Sequence, residues 1–179
     1  MRRALLFLPL LLTWARAGGA EPIARADVLR WVPGVRQAVF TPPSPTRQEP
    51  FTSKLTVQVG RLPVQVFLSA GGDANEAQPG RITGLLAWVP TATPGPAEKE
   101  ALVRVVLTHL RVCASVTETQ AAQIRLLAGL DWQAPLGMQE RQVGPFQLSW
   151  ADGDGLNVAG RDRGGMIVRW PGAPSRCTF

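Results

Sequence analysis

The chain has 179 residues, of which 45% are hydrophobic and 18% charged, so it can bury one sizeable core but is too short for two domains of ordinary size. Its 16 prolines and 18 glycines follow no period, which excludes collagen and most low-complexity sequences and predicts many turns. One histidine, two cysteines and no tyrosine leave few of the side chains that build catalytic and metal sites.

The N-terminal residues have the pattern of a secretory signal peptide. Two arginines precede an apolar run, residues 4–15, which is too short to span a membrane as a helix. The small-residue pattern Ala15-Arg-Ala17 follows, which predicts cleavage after Ala17 or, as an alternative, after Ala20. We therefore assign residues 1–17 to a signal peptide and expect a secreted or periplasmic protein. No later apolar run reaches roughly 18 residues, so no transmembrane segment is predicted in the mature chain.

The charge of the mature chain is modest. Residues 1–17 hold three of the 19 Lys and Arg residues and none of the 13 Asp and Glu residues, so the remainder carries a net charge of +3. The isoelectric point is basic because nearly all the basic residues are arginines and the chain has no tyrosine, whose pKa is lower than that of arginine. Net charge alone therefore does not indicate a nucleic-acid partner.

Residues 18–50 are predicted to form an N-terminal arm and a connector. Residues 24–32 fit either a short helix or a strand. Residues 41–50 contain four prolines, which favour an extended conformation and cannot lie inside a strand ladder. The connector is expected to separate the arm from a single domain over residues 51–179.

Alternating apolar and polar residues predict strands at both ends of this domain. They cover residues 55–59, 62–69, 81–89, 146–150, 156–159 and 166–170. The two β-rich flanks share a loose likeness, since Val59-Gly60 and Gly80-Arg81 in the first correspond to Val143-Gly144 and Gly160-Arg161 in the second. This likeness leaves open whether a hairpin unit is repeated.

The centre of the chain has a helical period. Residues 97–113 place Leu102, Val106 and Leu110 on one stripe, and overlapping capping boxes predict a second helix over residues 118–130. The order is β-rich, α, α, β-rich. The predicted fold is a single α+β domain in which an antiparallel sheet of about five to six strands packs against these two central helices.

The two cysteines, Cys113 and Cys177, form an even number in a chain predicted to reach an oxidising compartment. They are therefore predicted to form a disulfide that clamps the C-terminal tail against the first helix. A free nucleophilic Cys113 is the alternative.

The sequence contains no catalytic constellation. His109 and Cys113 lie four residues apart on one helix but make only half of a metal site, so no metal and no cofactor are predicted. Residues 152–157 begin like a calcium loop, yet Leu156 and Asn157 occupy its fifth and sixth positions, which favours a hairpin turn. No Gly-x-Ser-x-Gly elbow is present.

Two groups of residues remain as candidates for a functional site. A carboxylate pair of a hydrolase would come from Asp131, Glu140, Asp152, Asp154 and Asp162, although aspartate is also common in turns. A binding surface for an anionic polymer, glycan or nucleic acid would come from Arg161, Arg163, Arg169, Trp150 and Trp170. The alternative for the arginines is a solvated hairpin with charges that oppose aggregation.

The leading functional hypothesis is an exported, non-enzymatic binding or interaction domain. Its partner, a protein or an anionic polymer, is not specified by the residues. The anionic-polymer binder and the carboxylate hydrolase are the two alternatives.

Overall fold

The computed structural model describes residues 21–40, 52–71, 80–131, 137–152, 155–158, 160–171 and 173–178. The predicted signal peptide and the Pro-rich connector, residues 41–50, lie outside the described residues. Within these ranges, no helix is long and apolar enough to cross a membrane.

Three helices and eleven strands are described. The helices are α1 (Arg25–Arg30), α2 (Pro96–Cys113) and α3 (Glu118–Asp131). The strands are β1 (Ile23–Ala24), β2 (Val35–Phe40), β3 (Thr52–Val59), β4 (Leu62–Gly71), β5 (Gly84–Trp88), β6 (Gly137–Val143), β7 (Phe146–Asp152), β8 (Asn157–Val158), β9 (Arg161–Asp162), β10 (Gly165–Arg169) and β11 (Cys177–Thr178).

Seven of the strands form one antiparallel sheet, in the order β2-β3-β4-β5-β10-β7-β6. The predicted α+β domain, with an antiparallel sheet and two central helices, is thereby confirmed. The sheet is wider than expected because β2 and β6 join it at its two edges. The strand predicted over residues 156–159 is instead β8, which pairs with β9 outside the sheet.

The hydrophobic core lies between one face of the sheet and the helices. The alternating residues Leu55, Val57, Val66 and Leu68 are fully buried there. Helix α2 packs against β3, β4, β5 and β10, and its predicted apolar stripe is buried. None of the described helices packs on the opposite face of the sheet, which is called the helix-free face below.

The described part of the predicted N-terminal arm belongs to the same domain. Val28 and Leu29 of α1 are fully buried in the core, and β2 pairs with β3 at the edge of the sheet. The connector therefore does not separate an independent arm from the body. The apolar residues of α1 are too few to predict its conformation from sequence. The helix is stabilised by packing of these residues in the core, which requires the sheet to be present.

The disulfide between Cys113 and Cys177 is present, with the two Cα atoms 5.0 Å apart. This confirms the prediction and leaves no free cysteine. The bridge joins the end of α2 to β11, which pairs in parallel with β1. The backbone amide of Arg176 also donates to the carbonyl of Cys113, at 2.8 Å, so the tail is held by both covalent and hydrogen bonds.

The sheet contains the same three-stranded meander twice. Strands β3-β4-β5 and β6-β7-β10 each follow one another across the sheet, and the two sets meet at the antiparallel pair β5–β10. Each meander begins with a Gln-Val-Gly hairpin, in which the Gln58 side chain donates to the Gly60 carbonyl and the Gln142 side chain to the Gly144 carbonyl. Both glycines have positive φ angles, 59° and 57°. The likeness between the flanks therefore corresponds to equivalent hairpin turns.

Candidate functional site

The two tryptophans of the predicted binding surface lie in the core. Trp150 and Trp170 are 1% and 0% exposed. Trp150 shares the helix-covered face with Phe146 and Leu148, since these residues alternate along β7. Neither indole can stack on a ligand, so this part of the prediction is wrong.

The three predicted arginines lie on different pieces of the structure. Arg161 is exposed in β9, and the guanidinium of Arg163 donates to the carbonyl oxygen of Pro90. Arg169 is exposed at the end of β10, on the face of the sheet that carries no helix. The structure therefore does not unite these arginines and tryptophans into one surface.

The helix-free face is organised in rows, because residues opposite each other in antiparallel strands point to the same side. Arg169 lies between Gln147 of β7 and Gly84 of β5. The next row places Ile167 beside Ser149. On β6, Gln142 lies opposite Gln147 and Glu140 opposite Ser149. Polar side chains from three strands thus surround one arginine.

A third row of this face is covered by the chain itself. Leu156, which precedes β8, and Val158, which lies in β8, pack in one cluster with Trp88 and Ala151. The covered row includes Gly165, where a Cβ would lie only 2.6 Å from the Ala87 carbonyl oxygen and 2.8 Å from Leu156. This hairpin therefore closes one half of the face as a small second core, while no described residue covers the rows of Arg169 and Ser149.

The uncovered half contains a groove of about 510 Å³, within the usual size of a small-molecule site. Beside Arg169 on β5 and β4, the paired residues Gly84 and Gly71 have no side chains. A Cβ on Gly84 would approach only backbone oxygens, at 3.6 and 3.7 Å, and the Arg169 side chain, at 3.8 Å. The groove is lined by Glu140, Arg141, Gln142, Gln147, Leu148, Ser149, Ile167 and Arg169.

Two charged side chains of the groove, Arg169 and Glu140, form no ion pair with another described residue. The ion pairs between described residues lie on the helices, such as those of Glu100 with Arg104 and with Arg125, each at 2.8 Å. None of them includes Arg169 or Glu140. The guanidinium and the carboxylate are thus both available to a ligand.

The hydrolase candidates do not come together in this groove. Glu140 lines it, whereas Asp162 accepts a hydrogen bond from Asn157 in the β8–β9 pair, at 3.1 Å. The side chains of Asp131 and Asp152, and all of Asp154, lie outside the described residues. Among described residues, no group of three or more His, Cys, Asp or Glu is placed to hold a metal ion.

His109 is a core residue. Its ring is fully buried, with Nδ1 2.8 Å from the carbonyl oxygen of Val105. The pKa of His109 is lowered to about 4, mainly by burial and to a smaller extent by the positive charge of Arg25, while the hydrogen bond to Val105 acts in the opposite direction. Cys113 is bound in the disulfide, so the half metal site considered from the sequence does not exist.

A second groove, of about 770 Å³, lies where the β3–β4 hairpin meets the start of α2. Its lining is mainly apolar and includes Leu62, Pro63 and Pro96. The carboxylate of Glu98 accepts hydrogen bonds from the Gly95 amide and the Thr91 hydroxyl, and therefore caps α2. This groove offers shape but no uncommitted charge.

Arg169 was predicted from the sequence as a binding residue, but its neighbours in the groove were not. Gln147 and Ser149 alternate with apolar residues along β7, which was a signal that they face away from the core. Comparison with protein-family models, curated proteins and solved structures finds no match. The chemistry of the groove itself is therefore the basis for a functional interpretation.

Proposed function

We propose that this protein is an exported binding protein whose groove on the helix-free sheet face binds a small ligand through an anionic group held by Arg169. The observation that carries this proposal is the uncovered groove of about 510 Å³, which is lined by an exposed arginine that forms no ion pair with another described residue. A guanidinium can donate two parallel hydrogen bonds to a carboxylate or phosphate.

The other lining residues support binding rather than catalysis. The side chains of Gln147 and Ser149 make no hydrogen bond with another described residue, so their polar groups can bind a ligand. Ile167 is half-buried and offers an apolar contact. Among the described lining residues, Glu140 is the only carboxylate and no imidazole accompanies it, which gives little support to the hydrolase alternative.

Export is supported by the signal-peptide pattern of residues 1–17 and by the disulfide, which persists in oxidising compartments. We expect the mature protein to begin at Gly18 or Glu21, because cleavage follows small residues at the end of such a segment. Intact-mass analysis of protein collected outside the cytoplasm tests this. Retention of Met1 on that material would contradict the export part of the proposal.

Arg169→Gln is expected to weaken binding of acetate and inorganic phosphate by about tenfold or more, because it removes a charge-assisted hydrogen-bond donor. Chemical-shift titration of the two probes measures this. Arg161→Gln is the matched control, since Arg161 is exposed but lies in β9, and it should leave both affinities unchanged.

Binding that does not depend on Arg169 would contradict the proposal. Heparin binding that falls steeply with salt and is weakened equally by Arg161→Gln and Arg169→Gln would favour the anionic-polymer alternative instead. With Trp150 and Trp170 buried, that alternative would rest on charge alone.

A further inference from the structure

We infer that the ligand of this groove is a short peptide held by both of its charged ends, with its carboxylate at Arg169 and its ammonium at Glu140. This inference rests on the proposed function, since it uses the same anion site. It adds a second, oppositely charged group at the other end of the groove and thereby names a class of ligand.

The spacing of the two charges sets the length of the peptide. Arg169 and Glu140 lie on β10 and β6, which are separated by β7, and they differ by two positions along the strands. Ordinary strand spacing places their Cα atoms about 12 Å apart. Both side chains line the groove, so a ligand that lies in it can contact both charged groups. Because an extended tripeptide spans at most about 10 Å, a dipeptide or tripeptide matches this separation.

The groove between the two charges suits a peptide backbone. Ser149 lies in the same row as Glu140, and Gln147 lies in the same row as Arg169. Their hydroxyl and amide groups can both donate to peptide carbonyls and accept from peptide amides. Ile167 offers a half-buried apolar surface to a peptide side chain. Gly84, which is paired with Arg169, has no side chain that would crowd the peptide end bound there.

The mixture of charges also discriminates between ligand classes. A polyanion that reaches Arg169 across the groove would bring negative charge towards the carboxylate of Glu140, which is unfavourable. A zwitterion satisfies both groups at once. Since neither group forms an ion pair with another described residue, no internal pair has to be broken.

Calorimetric titration with three probes tests this assignment: trialanine, trialanine amide and N-acetyl-trialanine. The wild-type protein should bind trialanine about tenfold or more tightly than either blocked peptide, because each block removes one ionic contact. Arg169→Gln should abolish the preference over the amide and retain the preference over the acetylated peptide. Glu140→Gln should do the reverse, and Arg161→Gln should change neither preference.

The outcomes separate this inference from the proposed function. If trialanine and N-acetyl-trialanine bind equally well while Arg169→Gln still weakens both, Glu140 is not an ammonium site, and the peptide assignment is overturned while the anion site stands. The same holds if trialanine does not bind but phosphate binds through Arg169. If no probe, phosphate and acetate included, binds in a manner that depends on Arg169, both proposals are overturned.

Discussion

Reduction of the Cys113–Cys177 disulfide is expected to lower the free energy of unfolding by about 4 kcal/mol. The bridge closes a loop of 64 residues, and opening it restores conformational entropy to the unfolded chain. Urea unfolding of the oxidised and reduced protein measures the difference. The Cys113→Ala/Cys177→Ala double variant is the control, because its stability should not respond to reductant.

The structure also indicates where reduction acts first. Cys177 lies in β11, which pairs with the two-residue strand β1 and, through a single bridge, with Arg81. The carbonyl of Cys177 accepts from the Ile82 amide at 3.0 Å. Hydrogen exchange should therefore accelerate first at the amides of Ile23 and Ile82. Sequence reasoning would place this effect in the last strand of the sheet, residues 166–170. Because β10 is flanked by β5 and β7, it should stay protected. Equal stability of the oxidised and reduced protein would contradict this account.

Acidification from pH 7 to pH 4 is expected to cost about 3 kcal/mol of stability through His109 alone. Burial holds the pKa of His109 at about 4 in the folded protein, against an ordinary value of 6.5. Between these values the unfolded chain binds a proton that the folded protein does not, so stability falls as the pH falls. The contribution is fully present above pH 6.5 and is progressively lost towards pH 4.

His109→Phe provides the test, because phenylalanine has a similar size and does not titrate. Urea unfolding at pH 7 and at pH 4 should show a loss about 3 kcal/mol smaller in this variant than in the wild type. Arg25 is also buried, and its side chain donates to the Ser53 hydroxyl at 2.7 Å and to the Leu68 carbonyl at 3.2 Å. It stays charged across this range, because burial lowers its pKa only to about 10. An identical pH dependence in variant and wild type would show that His109 is not the titrating group.

Much of the fold could be predicted because its strands are buried on one face only. Leu148 and Trp150 alternate with Gln147 and Ser149, so period two is visible in the sequence. Strand β2 escaped prediction because it lies at the edge, where Val39 and Phe40 remain 47% and 40% exposed on opposite faces. An edge strand with both faces partly exposed has no clear alternation.

The site was less predictable than the fold. Arg169 stood out as a charged residue at the end of an apolar strand, but its significance depends on neighbours brought by pairing over long sequence separations. Two glycines without side chains, Gly84 and Gly71, are paired beside it, and no local pattern in the sequence connects them. Trp150 was assigned to the same surface because arginines are near it in the sequence. Such proximity does not show which face of a strand a residue occupies.

The repeated meander has an evolutionary consequence. On the same face of the sheet, the paired residues Phe67 and Trp88 of one meander are stacked aromatic rings, whereas the paired residues Gln147 and Arg169 of the other meander are polar. The scaffold therefore does not dictate what these positions contain. Because the helices bury the opposite face, such positions can acquire new side chains at little cost to folding. Ligand preference in this architecture can diverge by single substitutions while the core is inherited unchanged.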